Sequence, residues 1–258
     1  VSGLVFITGA SSGIGQALAD RYARAGWRLA LVARRTEAMD AWALERGLGR
    51  GQYAIYGADV GAVDSIVAAG HACLAGQGLP DVVIANAGIS QGVDTSQRED
   101  LDVMARSFAV NTVGLAATFQ PFIEAMVRRG SGTLVGIASV AGVRGLPGHG
   151  AYCASKAAAI SYCESLRGEL RPTGVRVLTL SPGYVATPLT ARNRYPMPFL
   201  MQPADFADAA FRAIASGAGH RVIPWQMAWV ARVLRVLPDA WFDRLLAGQP
   251  RKHRHNEG

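Results

Sequence analysis

The stretch LVFITGASSGIG, residues 4–15, decides how this chain folds. Leu4 to Thr8 is a short apolar run rich in branched side chains, which reads as a strand. The turn Gly9-Ala10-Ser11-Ser12-Gly13-Ile14-Gly15 follows, and a helical pattern then runs from Gln16 to Ala25. A strand, a glycine-rich turn and a helix start make a ready anion site, because exposed backbone N–H groups and the positive end of the helix dipole face a phosphate. The glycines permit the tight turn and the close approach of a pyrophosphate. Their spacing is G-x-x-x-G-x-G and not the commoner G-x-G-x-x-G.

Outward from this stretch, short apolar runs alternate with longer helical ones. Strands are expected near Leu4 to Thr8, Arg28 to Val32, Tyr53 to Gly57, Val82 to Ala85, Thr133 to Ile137, Val175 to Ser181 and Arg221 to Ile223. Helices are expected near Gln16 to Ala25, Thr36 to Arg46, Val63 to Leu74, Leu101 to Arg129 and Tyr152 to Arg171. This βαβα order predicts an α/β fold with a parallel sheet covered on both faces, whose ligands bind beyond the carboxyl ends of the strands. No repeat, low-complexity tract or linker interrupts it, so residues 1–258 are expected to form one domain. Half of the residues are apolar and only 17% are charged, a balance that favours a large core over disorder.

The run Tyr152-Cys153-Ala154-Ser155-Lys156 carries the chemistry. Residues four apart share a helix face, so the phenol and the ammonium are expected side by side. A cation about 4 Å away, at an effective dielectric near 20, is worth roughly 4 kcal/mol, or about three pKa units, against a free tyrosine value of about 10. Such a phenol exchanges protons near neutral pH. Lysine can give up a proton where arginine cannot. The chain holds only two lysines against twenty-four arginines, which makes Lys156 look selected for this role.

With these runs the chain resembles the short-chain dehydrogenase/reductase family. The resemblance covers about Leu4 to Ile223, in the family's order: Thr8-Gly9-x-x-x-Gly13-x-Gly15, Asp59-Val60, Asn86-Ala87-Gly88, Asn111, Ser139, Tyr152-x-x-x-Lys156, and Pro182-Gly183 followed by Val185 and Thr187. It implies a Rossmann-like, doubly wound parallel sheet of about seven strands and a dinucleotide held by the turn from Gly9 through Ser11, Ser12, Gly13 and Ile14 to Gly15. It further implies that Asp59 and Val60 meet the adenine, that Asn86-Ala87-Gly88 meet the adenosine ribose side, and that Pro182, Gly183, Val185 and Thr187 hold the nicotinamide. Ala85 stands where many relatives carry a second asparagine. The catalytic set implied is Asn111, Ser139, Tyr152 and Lys156: hydride, pro-S, passes between nicotinamide and a carbonyl carbon, Tyr152 moves the proton, Ser139 steadies the oxygen, and Lys156 binds the nicotinamide ribose. Asn111, within a helical pattern it disfavours, implies a distorted helix that holds a proton-relay water. A homodimer or homotetramer is expected.

The choice of cofactor turns on the end of the second strand. An NAD site places an acid about 20 residues after the glycine turn, to bind the ribose hydroxyls. Here Ala33 is followed by Arg34 and Arg35, so no carboxylate repels a 2′-phosphate and a guanidinium can pair with it. NADP(H) is preferred on this basis, with NAD(H) also admitted; solvated arginines at a helix start are the alternative. Residues 184–203 are expected to form a substrate lid. Its Leu189, Tyr195, Met197, Phe199, Leu200 and Met201 either favour a bulky apolar ketone or alcohol or simply pack the lid down. Arg192 and Arg194 either meet an anionic group or, as exposed loop arginines usually do, only water, and Arg144 and His149 are read as mobile groups near the pocket.

Residues 225–258 form a basic, amphipathic extension. A helical wheel over Trp225 to Leu237 puts Met227, Trp229, Val230, Val233, Leu234, Val236 and Leu237 on one face, with Ala228, Ala231, Arg232 and Arg235 opposite. From Arg212 onward there are eight basic residues against three acids. Such a segment seals a core or a subunit contact, or lies in a membrane interface. No nucleic-acid-binding motif accompanies the charge. Cys73, Cys153 and Cys163 show neither C-x-x-C nor zinc-like spacing, and the first strand begins at once, so free thiols, no metal and a cytoplasmic location, with possible contact at the membrane surface, are expected. The function classes in view are a carbonyl reductase or alcohol dehydrogenase, a 3-oxoacyl-thioester reductase, a non-catalytic dinucleotide sensor and a membrane-surface scaffold.

Overall fold

The computed structural model describes residues 3–49, 51–191, 193, 195–248, 252 and 254. Seven strands lie in one parallel sheet: β1 (Leu4–Thr8), β2 (Arg28–Ala33), β3 (Tyr53–Gly57), β4 (Val82–Ala85), β5 (Gly132–Ile137), β6 (Val175–Pro182) and β7 (His220–Ile223). Their spatial order is β3-β2-β1-β4-β5-β6-β7. The order reverses between β1 and β4, and the crevice that opens there is where an open α/β sheet takes its ligand. The helices are α1 (Gly13–Arg24), α2 (Thr36–Glu45), α3 (Val63–Gly76), α4 (Arg98–Phe108), α5 (Gly114–Arg129), α6 (Gly150–Leu170), α7 (Pro203–Ala215), α8 (Trp225–Val236) and α9 (Asp239–Leu246).

Two apolar layers sandwich the sheet, because the side chains of each strand alternate between its faces. On one face Val5, Ile7, Leu29 and Leu31 pack with Leu18 and Tyr22 of α1 and Phe206 of α7. On the other, Leu4, Phe6, Val83 and Leu134 pack with Phe119 and Phe122 of α5. Phe6 and Phe122 meet edge to face at 4.9 Å between centroids. Each fully buried ring of this kind contributes about 1.5–3 kcal/mol through removal from water.

The structure differs from the sequence expectation in three places. The single helix expected over Leu101 to Arg129 is two helices, α4 and α5, joined by a π-helical turn at Ala109–Val113. Helix α7 was not expected, although Pro203 suits a first helical turn and Phe206, Ala207, Ala210 and Ile214 make a buried stripe. Helix α8 buries Met227 and Ala231, with Val230 and Leu234 half-buried, so Ala231 lies on the packed face and not opposite it. Trp225, Trp229, Val233 and Val236 are exposed, as are Trp241 and Leu245 of α9. No helix among the described residues is long and apolar enough to cross a membrane.

Candidate active site

The carboxyl ends of the strands frame a crevice of about 770 Å³. The residues expected to bind the dinucleotide or carry the chemistry line it, except Gly15 and Asn111; of the lid side chains Leu189, Tyr195, Met197, Phe199, Leu200 and Met201, only Leu189 does. Gly9 and Gly13 have φ of 66° and 56°, the left-handed region in which only glycine is unstrained. Gly15 is required by contact: a Cβ there would stand 2.2 Å from Gly9 O. Ser12 makes no side-chain cap at the start of α1, so the first N–H groups of that helix remain available to an anion.

The turn is fastened from the neighbouring strand. Thr8 Oγ1 accepts from the N–H groups of Asn86 at 3.0 Å and Ala87 at 3.1 Å. Asn86 Nδ2 donates to Thr8 O at 2.9 Å and Gly9 O at 3.4 Å. The amide of Asn86 is thus engaged with protein and shapes the crevice from beneath. At the far end, past buried Ala33, Arg34 and Arg35 are exposed on the rim with no ion-pair or hydrogen-bond partner among the described residues. Asp59 is half-buried, with Oδ1 accepting from Gly61 N–H at 2.9 Å. Val60 is buried beside it. Pro182 and Gly183 end β6, and Val185 and Thr187 follow on the same wall, braced by Thr190, whose hydroxyl donates to Val185 O at 2.6 Å. Arg106, exposed at the rim, completes the lining and was not anticipated.

The side chains proposed for chemistry converge at the end of β5 and on α6. Ser139 caps the short turn after β5, accepting from Ala141 N–H at 3.2 Å, and also reaches the Tyr152 hydroxyl. Burial is the largest influence on the Tyr152 phenol and pushes it above its ordinary value, while the Ser139 hydrogen bond opposes this. Lys156 is buried and donates from Nζ to Ile137 O at 2.7 Å. Desolvation lowers its pKa from 10.5 to about 8. The expected acidification of the phenol by this ammonium is therefore corrected: the strand carbonyl claims the lysine, and burial sets the tyrosine.

Asn111 sits within the π-helical turn, and its side chain is fully used. Oδ1 accepts from Ile89 N–H at 2.9 Å, and Nδ2 donates to Ile89 O and to Ser155 Oγ, each at 2.9 Å. Ser155 Oγ in turn donates to Tyr152 O at 2.9 Å, and Thr112 Oγ1 donates to Ser155 O at 3.0 Å. The extra residue of the π turn lets these groups reach α6. A Cβ at Gly88 would meet Asn111 Oδ1 at 3.2 Å and Lys156 Nζ at 3.4 Å, so the three lie together. Ser155 escaped the sequence reasoning. Its signal was its position three residues after Tyr152, one helical turn along.

The substrate side is more polar than the lid composition suggested. The lid pairs Val185 with Met201, while Leu189, Phe199 and Leu200 are exposed. His149 is buried and reaches the Tyr195 hydroxyl at 3.3 Å; burial holds its imidazole below the ordinary value. Tyr184 packs against Tyr195 at 6.2 Å. Arg144 is no mobile loop charge: it donates to Leu234 O, Leu237 O and Asp239, and stacks on Phe242 at 3.9 Å, holding α8 and α9 to the active-site loop. Arg192 and Arg194 lie outside the described residues. From the C-terminal tail, Lys252 reaches Ser90 and the Tyr152 ring.

A family model, short chain dehydrogenase, matches residues 3–197. The chain belongs to the short chain dehydrogenase family. It is thereby an NAD(P)-dependent dehydrogenase or reductase with a Rossmann-like fold. It is 40% identical over 237 residues to a protein of Myxococcus xanthus (strain DK1622) described as an uncharacterized oxidoreductase, covering 92% of this chain and 93% of that one. A short-chain dehydrogenase from Sphingobium yanoikuyae, solved in complex with NADPH, is similar at 28% identity and a TM-score of 0.76, over 92% of this chain and 97% of that one. A family member from Burkholderia phymatum, solved in complex with NAD, is similar at 25% identity and a TM-score of 0.80, over 90% and 92%.

Burial of Lys156 has a measurable consequence for this short chain dehydrogenase. Its pKa falls from 10.5 unfolded to about 8 folded, so between these pH values the unfolded chain binds more protons and stability rises with pH. Wild type is expected to gain stability relative to Lys156→Met as pH rises from about 8 to about 10.5, and to lose that gain as pH falls back through about 8. Urea unfolding of the two proteins across this range measures the difference, and a flat difference contradicts the assignment.

Proposed function

We propose that this chain is an NADP(H)-preferring carbonyl reductase or alcohol dehydrogenase whose proton-transfer residue is Tyr152. The observation that carries this reading is the convergence of Ser139, Tyr152 and Lys156 on one end of a dinucleotide-sized crevice whose other end carries Arg34 and Arg35. The fit is supported by the turn itself: side chains larger than hydrogen at Gly9 and Gly13 would stand against Ala87 and Thr187, across the space a pyrophosphate requires. A nicotinamide dinucleotide held there would supply or accept hydride. The chain's own residues manage the proton. Burial keeps the Tyr152 phenol protonated, which suits it as the donor to a developing alkoxide. Ser139 orients the substrate oxygen against the phenol by hydrogen bonding. Lys156, able to lose a proton near pH 8, can resupply the phenol. Asn111 and Ser155 fix α6 so that these groups remain in register.

Replacement of Tyr152 by Phe is expected to lower turnover by about a hundredfold or more, the scale of general-acid catalysis. Binding of NADPH is expected to change by no more than about twofold, since the hydroxyl acts on the substrate. Absorbance of reduced nicotinamide over a panel of ketones, with a fluorescence titration of NADPH, reads both. Wild-type turnover in the variant contradicts the role.

Preference for NADP(H) rests on Arg34 and Arg35, which no carboxylate neutralises among the described residues. Removing both, as Arg34→Ala with Arg35→Ala, is expected to weaken NADPH about tenfold or more while leaving NADH within about threefold, since charge-assisted bonds contribute about 1.5–3 kcal/mol. Equal losses for both cofactors in direct binding titrations would remove the assignment.

A second element of the reading is contact with an anionic bilayer surface. It is supported by the exposed Trp225, Trp229 and Trp241 on α8 and α9, with Arg232 stacked beside Trp229 at 5.2 Å and Arg244 exposed nearby in sequence. Amphipathic indoles flanked by cations suit the headgroup region. Cosedimentation with phosphatidylglycerol vesicles is expected for wild type and lost when all three tryptophans become serine. No sedimentation of wild type, or binding unaffected by the substitutions, contradicts it.

A further inference from the structure

Two residues of the C-terminal segment, Lys252 and Arg254, lie beside the candidate active site. Arg254 forms a parallel bridge with Gly92, in the segment after β4. Its Nε meets Asp100 Oδ2 at 2.7 Å and its Nη2 meets Glu99 at 3.3 Å, at the start of α4. Asp100 is buried and also accepts from Asp94 N–H at 2.6 Å. The guanidinium beside Asp100 holds its carboxyl below the usual range. A buried acid joined to an arginine 154 positions later is a built anchor for the tail.

Two residues before that anchor stands Lys252, the only lysine besides Lys156. Its Nζ donates to Ser90 Oγ at 2.8 Å and lies 6.0 Å from the centre of the Tyr152 ring. His149 is close enough for the charge of Lys252 to depress its imidazole further. Among the described residues no carboxylate pairs with this ammonium, and burial lowers its pKa from 10.5 to about 8. A half-buried cation with neutral partners is costly unless something anionic joins it. The groups facing it, Ser90, His149 and Tyr152, belong to the wall where substrate must lie if Tyr152 transfers the proton.

We infer that Lys252 is a specificity-determining residue of the active site, and that it selects carbonyl or alcohol substrates bearing a carboxylate a few bonds from the reacting carbon. This rests on the proposed role of Tyr152. The carboxylate would take the open donor positions of the ammonium, while the substrate oxygen meets Ser139 and Tyr152. The two ends of the substrate would then be held by different lysine-bearing segments, α6 and the tail. Orientation follows from the separation of the two contacts.

The test pairs keto acids with their methyl esters, namely 4-oxopentanoate, 5-oxohexanoate and 4-acetylbenzoate, on the full chain saturated with NADPH. Wild type is expected to favour at least one acid over its ester in kcat/KM. Lys252→Met is expected to shrink that acid-to-ester ratio about tenfold or more, and Lys252→Arg to retain much of it, because a charged hydrogen-bond partner is worth about this much. Equal ratios in wild type and Lys252→Met overturn the inference. So does a rise in turnover of acid and ester alike, which would make the tail a plug and not a reader. Quenching of bound NADPH fluorescence by each acid gives a readout independent of turnover. If no pair is turned over, acid binding lost in Lys252→Met upholds the carboxylate site while the oxidoreductase role of Tyr152 fails. Equal binding by the variant, or none by wild type, overturns the site itself.

Discussion

Asn86 ties the two central strands together at the one point where their order reverses. Its side-chain amide donates into the turn after β1, and its backbone N–H and that of Ala87 converge on the Thr8 hydroxyl. These bonds are shielded within the fold, where an unmet backbone group would cost about 1–3 kcal/mol. Thr8 and Asn86 therefore fix the spacing between the glycine turn and the end of β4. Everything in the crevice is measured from that knot, including the first turn of α1 and the path of residues 87–90 toward Asn111 and Lys252.

The two lysines have different settings in the same site. Lys156 is held from within, by a strand carbonyl and close to Gly88. Lys252 arrives from the end of the chain and is positioned by its neighbour two residues on, through the ion pair of Arg254 with Asp100. Both are shifted in the same direction by loss of hydration. In a chain that otherwise uses arginine, the two ammonium groups lie one buried on the carbonyl of Ile137 and one half-buried beside the Tyr152 ring.

The sheet, the glycine turn and the family motifs were legible because each is local. Strand length, β-branching and the positions of Gly9, Gly13 and Gly15 act over a few residues, and the structure places them as expected. The distortion at Asn111 was implied by the resemblance, but the break into α4 and α5 was not legible. A π turn adds one residue to a helix; the apolar pattern continues on both sides of Asn111 and did not show that the distortion splits it in two. The wheel for α8 failed at Ala231 because the periodicity left two apolar stripes, and only packing against β7 and the Arg144 loop selected one. The setting of Tyr152 was misjudged for a similar reason: proximity along a helix said nothing of the Ile137 carbonyl that takes the ammonium.

By itself the sequence determined the strand and helix order, the anion-binding turn, and which residues are chemically able to transfer a proton or meet a phosphate. Those properties reside in single side chains and in spacings of one to four residues. Tertiary structure alone decided which of them meet: Ser155 with Asn111 across 44 positions, Arg144 with Asp239 across 95, and Arg254 with Asp100 across 154. It also decided the direction in which Lys156, Tyr152 and Lys252 are shifted from their ordinary pKa values, because desolvation depends on what the rest of the chain packs around a group and not on its neighbours in sequence.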